Sequence, residues 1–173
     1  MKKLLIPILF CLSLCIPFTG CVKNERDRLI NVGDKAPHFD TFLFGGVRLS
    51  SEDLLGKVTV LFFFNSKESR CREEIFQVNE IYRRIGDVVN VVAFDMDGIL
   101  QDAIDYWHTY ELSLPFVCCD YSKEVYYLFN GYEQYGLPMI YIINREGNVC
   151  DLFDSDRPFY AEDFYKKIID KLY

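Results

Sequence analysis

Histidine, tryptophan and paired cysteines are what this chain of 173 residues has least of: two histidines, one tryptophan and no C-x-x-C pair. His38 and His108 stand alone, and the cysteines fall at no spacing a tetrahedral zinc site uses, so no metal centre is expected. No residue pattern asks for an organic cofactor. Basic clusters are missing as well. The formal charge is −7 with both signs interspersed, and an acidic surface repels phosphate backbones, so nucleic acid is not an expected partner. No internal repeat or low-complexity tract occurs. Nor is there an uninterrupted apolar run of the roughly 20 residues a membrane-spanning helix needs.

Hydrophobic residues make up 50% of the chain, including 15 Phe and 12 Tyr. That is enough for one domain that buries roughly 70% of its unfolded surface. The first 20 residues stand apart. Met1-Lys2-Lys3 is a positive n-region, and Leu4 to Pro17 is a short apolar run broken by Pro7 and Pro17. The run ends in Phe18-Thr19-Gly20-Cys21. The pattern is that of a signal peptide over residues 1–20. Small residues directly before a cysteine resemble the lipobox of bacterial lipoproteins, in which Cys21 becomes the lipidated N-terminus. Phe18 stands where an aliphatic residue is usual. A plain secretory leader, or an uncleaved anchor with Cys21 incidental, is the alternative. Residues 21–29 then form a polar tether and 30–173 the folded domain. Loss of Lys2 and Lys3 with the leader takes the charge from −7 to −9. The expected location is the bacterial cell envelope, lipid-anchored, most simply on the periplasmic side.

Of the seven cysteines, Cys11 and Cys15 leave with the leader and Cys21 carries lipid. Cys71, Cys118, Cys119 and Cys150 remain, in a compartment where disulfides persist. A bond between the adjacent Cys118 and Cys119 would close a strained, labile ring. Alternatively, neighbours on an extended segment point to opposite faces. Cys150 is expected in the core.

Strand-like and helix-like stretches alternate. Phe39–Phe44 and Val47–Leu49 flank Gly45-Gly46, a hairpin signal. Ser51–Leu55 reads as a helical turn closed by Gly56. Val58–Phe64, VTVLFFF, is an unbroken run of β-branched and aromatic residues, expected for a central strand buried on both faces. Arg70–Arg84 has Ile75, Val78 and Tyr82 at helical spacing. Val89–Phe94 is a second buried strand, Ile99–Tyr110 a helix, Leu114–Cys119 extended and Lys123–Phe129 helical. Met139–Ile143 and Asn148–Phe153 are strands joined by the turn Arg145-Glu146-Gly147, and Ala161–Leu172 is a closing helix. The order predicts an α/β fold: a mixed central sheet with helices on both faces and an N-terminal β-hairpin extension.

Three segments carry a resemblance. They are Val32-Gly33-Asp34-Lys35-Ala36-Pro37-His38-Phe39, the strand-loop-helix from Val60 to Tyr82, and Tyr135-Gly136-Leu137-Pro138 with the strand, turn and strand that follow. In this order and spacing the chain, from about Ile30 to Tyr173, resembles the TlpA-like and AhpC/TSA-like (redoxin) branch of the thioredoxin superfamily. The resemblance implies a thioredoxin-like fold, a cis proline at Pro138, and descent from thiol–disulfide oxidoreductases that act on protein thiols.

The resemblance also locates a departure. Active relatives carry W-C-x-x-C-R in the loop. Here Lys67 stands at the tryptophan, Glu68 at the first cysteine, and Ser69-Arg70 lead to Cys71. The first cysteine is the one that attacks, and a resolving thiol alone cannot complete the cycle. Phe62 stands where thioredoxins carry a buried acid. Dithiol exchange is therefore not expected of this loop. Glu68 has a simple structural role open to it, since a carboxylate near a helix N-terminus gains about 0.3–1 kcal/mol. It would also raise the pKa of Cys71. Three readings of the site remain open. Cys71 can be a small half-buried helix residue. It can be a single peroxiredoxin-like cysteine that peroxide oxidises and Cys118, Cys119 or Cys150 resolves, although Phe64 and Glu68 replace the proline and threonine of that motif. Or the groove beside Pro138, paired through the Leu137 backbone, can bind a peptide or protein without chemistry. Tyr126, Tyr127, Phe129, Tyr132 and Tyr135 precede Pro138 as core or groove aromatics.

Overall fold

The computed structural model describes residues 29–118, 120–130, 136–156 and 160–172. The leader, Cys21, most of the tether, Cys119, Tyr132 and Tyr135 lie outside the described residues.

The run VTVLFFF forms β3 (Val58–Phe64), in which every residue is buried. Alternation along this strand divides the core in two. Val58, Val60, Phe62 and Phe64 point to one face, Leu61 and Phe63 to the other. Parallel to β3 runs β4 (Val89–Asp95), followed by the two-residue β5 (Phe116–Val117). On the opposite side β6 (Met139–Ile143) and β7 (Val149–Phe153) are antiparallel, which gives the mixed order β5-β4-β3-β6-β7. Thioredoxin-like topology is thus present as expected, with β3 at the centre.

One face is covered by α1 (Ser69–Ile85), α2 (Leu100–Thr109) and α4 (Ala161–Ile169), which contribute Ile75 and Val78, Tyr106 and Trp107, and Phe164 and Ile168 to the first core cluster. The other face is covered by α3 (Asp120–Asn130) and the hairpin of β1 (Asp40–Phe42) and β2 (Arg48–Ser50). Phe63 sits among Phe94, Tyr126, Phe129 and Tyr141, with ring centroids 4.7 to 6.2 Å apart. Gly45 and Gly46 both take positive φ, the conformation that the tight hairpin turn requires.

Several element boundaries differ from the sequence expectation, among them the end of the closing helix, at Ile169 rather than Leu172. Helix α3 begins at Asp120 rather than Lys123, because its first turn is polar and carries no apolar period; Ser122 Oγ instead donates to the Val117 carbonyl. The extended segment before it contracts to Phe116–Val117. The hairpin strands have only three residues each, joined to the main sheet by the Phe44 N–H donating to the Phe116 carbonyl. Among the described residues no helix is long and apolar enough to cross a membrane.

Candidate functional site

At the carboxyl end of β3 the chain leaves the sheet through Asn65–Glu68 and enters α1. Glu68 is the N-cap residue of this helix, but its carboxylate makes no capping hydrogen bond. It faces outward, 4.0 Å from the Cys71 thiol. Its place at the helix N-terminus is the expected one, reached without a capping hydrogen bond. Ser69 opens the helix and is exposed, and Arg70 is half-buried.

Cys71 is fully buried, not half-buried. It belongs to the cluster formed by β3, α1, α2 and α4. Burial is the main cause pushing its thiol up to about 12; the neighbouring Glu68 and Glu74 carboxylates add to this, while a hydrogen bond from the Asn65 backbone and the Arg70 charge act against it. No disulfide joins Cys71, Cys118 and Cys150 to one another. Cys150 lies on β7, half-buried against the first core cluster, with its thiol donating to the Ile142 carbonyl at 3.3 Å and its pKa raised by burial. Cys118 is half-buried beside the same cluster.

Three loops converge on this end of the sheet. The peptide bond Leu137–Pro138 is cis. Leu137 stands just beyond the last β3–β6 pair, Phe63 with Met139, so its main chain takes no part in the ladder. Gly136 approaches the β7–α4 connection so closely that a Cβ on it would lie 2.4 Å from Ser155 Oγ. Arg70 reaches the same connection and donates to the Ser155 carbonyl, while its Nε pairs with Glu74 at 3.4 Å. Between the loops lies a cavity of about 400 Å³, lined by Asn65, Glu68, Met96, Lys123, Tyr126, Tyr127, Gly136 and Leu137. Glu68 and the residue before Pro138 thus share one groove, whereas Cys71 lies beneath it. A second cavity, of about 340 Å³, lies at the other end of β3 near Thr59 and His38. Open α/β sheets place ligands at the carboxyl ends of their parallel strands, which favours the first.

The burial of two acids has no mark in the sequence. Glu74, one turn into α1, is 6% exposed, and its pKa is raised by burial against the opposing pull of Arg70. Asp95 ends β4 opposite Phe64 and is 1% exposed. Position 62 thus holds a phenylalanine while the neighbouring strand supplies a buried acid. Burial is the largest cause raising the Asp95 carboxyl from 3.8 to about 6; N–H groups of Asp97 and Ser66 and the Ser66 hydroxyl hold it down in part, and the Asp97 charge pushes it up. Asp97 in turn receives Lys67 at 2.9 Å, and Lys67 also reaches Asp102 at 3.3 Å, tying the loop before α1 to the start of α2.

A carboxyl whose pKa is higher in the folded than in the unfolded chain favours folding most below its unfolded value. That advantage is lost as pH rises through the folded value, here between about 4 and about 6. Asp95→Asn should therefore stabilise the protein at pH 7 by roughly 1–3 kcal/mol, with the difference vanishing near pH 4. Urea unfolding of both proteins at the two pH values reads this directly.

The site contains no group of three or more His, Cys, Asp or Glu able to hold a metal among the described residues. The model of the AhpC/TSA family matches residues 32–151. Among solved structures, a thiol:disulfide interchange protein of the thioredoxin family from Chlorobium tepidum is similar, with 24% identity over 83% of this chain and 99% of that one, at a TM-score of 0.72. The thioredoxin domain of a Bacteroides vulgatus thiol-disulfide oxidoreductase has 19% identity over 83% and 99%, at 0.68. A secreted Mycobacterium tuberculosis disulfide oxidoreductase has 14% identity over 76% and 95%, at 0.65. At these identities the likeness shows the fold. No curated protein matches the chain.

Proposed function

Because the chain belongs to the AhpC/TSA family, we propose that it is a thioredoxin-fold envelope protein, related to thiol–disulfide oxidoreductases, whose groove holds extended protein segments without exchanging their disulfides. One observation carries this: the groove beside Leu137 is open and about 400 Å³ in volume, while the sulfur that would do chemistry in it is buried and held near pKa 12. A carboxylate in the position of the attacking thiol cannot form a mixed disulfide.

Peroxide chemistry at Cys71 is disfavoured by the same burial, since the reacting species is the thiolate. The Leu137 main chain, outside the sheet ladder, suits pairing with an extended segment, and the half-buried Met96 and Tyr127 supply apolar wall. The leader-like residues 1–20 and the cysteine at position 21 support export and lipid anchoring, which radiolabelled palmitate incorporation and its loss in Cys21→Ser would test.

The binding proposal is tested with an unfolded, carboxymethylated polypeptide as ligand. The wild-type protein should bind it saturably, and Cys71→Ser should bind with an affinity within about twofold of wild type. Glu68→Trp, which fills the mouth of the groove with an indole, should lose at least tenfold. Equal affinity in Glu68→Trp would place binding elsewhere.

A further inference from the structure

The groove carries an unmatched charge. Each cation around it is already held: Lys67 by Asp97 and Asp102, Lys123 by Asp120 at 3.4 Å, and Arg70 by Glu74 and the Ser155 carbonyl. Glu68 is exposed, lines the cavity, caps no helix N–H and makes no ion pair among the described residues. Its side-chain contact is the Cys71 thiol, a weak donor at 4.0 Å.

A segment laid in the groove along Leu137 turns alternate side chains to opposite sides. One that descends toward the start of α1 meets the Glu68 carboxylate. An apolar side chain there would strip water from the carboxylate without replacing it, and an acidic one would be repelled. A lysine or arginine side chain answers both demands, its stem lying on Met96 and Tyr127 and its charged end on Glu68. We propose that the groove is specific for extended protein segments that present a lysine or arginine to Glu68. The inference rests on the peptide-binding function proposed above and adds the chemistry of the bound side chain.

The probes are short, capped, cysteine-free peptides identical except for a central Lys, Gln or Glu, titrated into the full protein and followed by fluorescence anisotropy. Wild type should bind the Lys peptide roughly fivefold more tightly than the Gln peptide, with the Glu peptide weakest, and added salt should narrow the spread. Glu68→Gln should still bind the Gln peptide but show a Lys-to-Gln ratio near one. Glu68→Lys should prefer the Glu peptide. Glu52→Gln removes one exposed charge beside the cavity at the far end of β3 and should keep the wild-type ratio. A ratio that survives in Glu68→Gln, or that disappears in Glu52→Gln, would assign the preference to overall charge and overturn the inference. Binding of all three peptides with equal affinity would overturn it while leaving the groove as a peptide site. Binding of none of them would remove both.

Discussion

Iodoacetamide at neutral pH is expected to modify Cys71 of the native protein about a thousandfold more slowly than an ordinary exposed cysteine. The reagent consumes thiolate, and raising a thiol from 9.0 to about 12 cuts the thiolate fraction by three decades. Burial of the sulfur beneath α1 adds a steric barrier on top. The neighbouring arginine does not reverse this. Arg70 is engaged by Glu74 and Ser155, and its favourable effect on Cys71 ranks below the burial and the carboxylate effects that raise the thiol. In denaturant the protection should vanish, and Cys71 should react like a cysteine in a peptide. Peptide mass spectrometry after timed quenching separates it from Cys118 and Cys150. Rapid native labelling of Cys71 would mean that the thiol opens to solvent, and the peroxiredoxin-like reading would then regain its ground.

Glu68→Cys should give the site a working thiol–disulfide cycle. The substitution recreates C-x-x-C across the first turn of α1, where the 68 side chain is exposed and reaches to 4.0 Å from the Cys71 sulfur. A thiol at the helix N-terminus has its pKa lowered, and a buried partner three residues on can resolve the mixed disulfide. With dithiothreitol as electron source, insulin reduction should rise at least about a hundredfold over wild type, whose rate should match the uncatalysed background. Glu68→Ser should remain at background. Adding Cys71→Ser to Glu68→Cys should halt the cycle at a covalent complex, because the first sulfur attacks and nothing releases it. Turnover by the wild-type protein would show that the chemistry uses another cysteine and that the loop assignment is wrong.

Much of this fold was legible because its centre is compositionally extreme. VTVLFFF can hardly be anything but a strand buried on both faces; the alternation between strand-like and helix-like runs pointed to the parallel β3–β4 unit and the short turn to the antiparallel β6–β7 pair, while the antiparallel seating of β6 on β3 came from the structure. The juxtaposition of Glu68 with Leu137 followed from laying the loop and the G-x-P segment on a known pattern. What stayed hidden has a common cause: burial of polar residues leaves no periodic mark. Asp95 follows the apolar run of β4 and looks like the first residue of a loop, yet the sheet continues through it, paired with Phe64. Glu74 sits on α1 among residues that look like a solvated face; its i,i+4 spacing from Arg70 is visible in the sequence, but the turning of that pair toward Ser155 of the β7–α4 connection is not. The depth of Cys71 was misjudged for a related reason, since helical spacing gives the direction of a side chain but not how thick the layer above it is. The Phe62 position was informative in the opposite sense. Phe62 counted against dithiol exchange because it stands where thioredoxins carry a buried acid, whereas the structure keeps a buried acid, Asp95, one strand away.

The most direct measurement compares one client peptide in two forms, with its disulfide intact and with its cysteines reduced and carbamidomethylated to a neutral amide, each titrated into the native protein and then run without reductant. A groove that binds without chemistry gives the same affinity for both forms and no covalent adduct. Tight binding restricted to the disulfide-bearing client, with a reductant-sensitive complex in which Cys71 has displaced one client thiolate, would show that the buried sulfur is a working nucleophile after all.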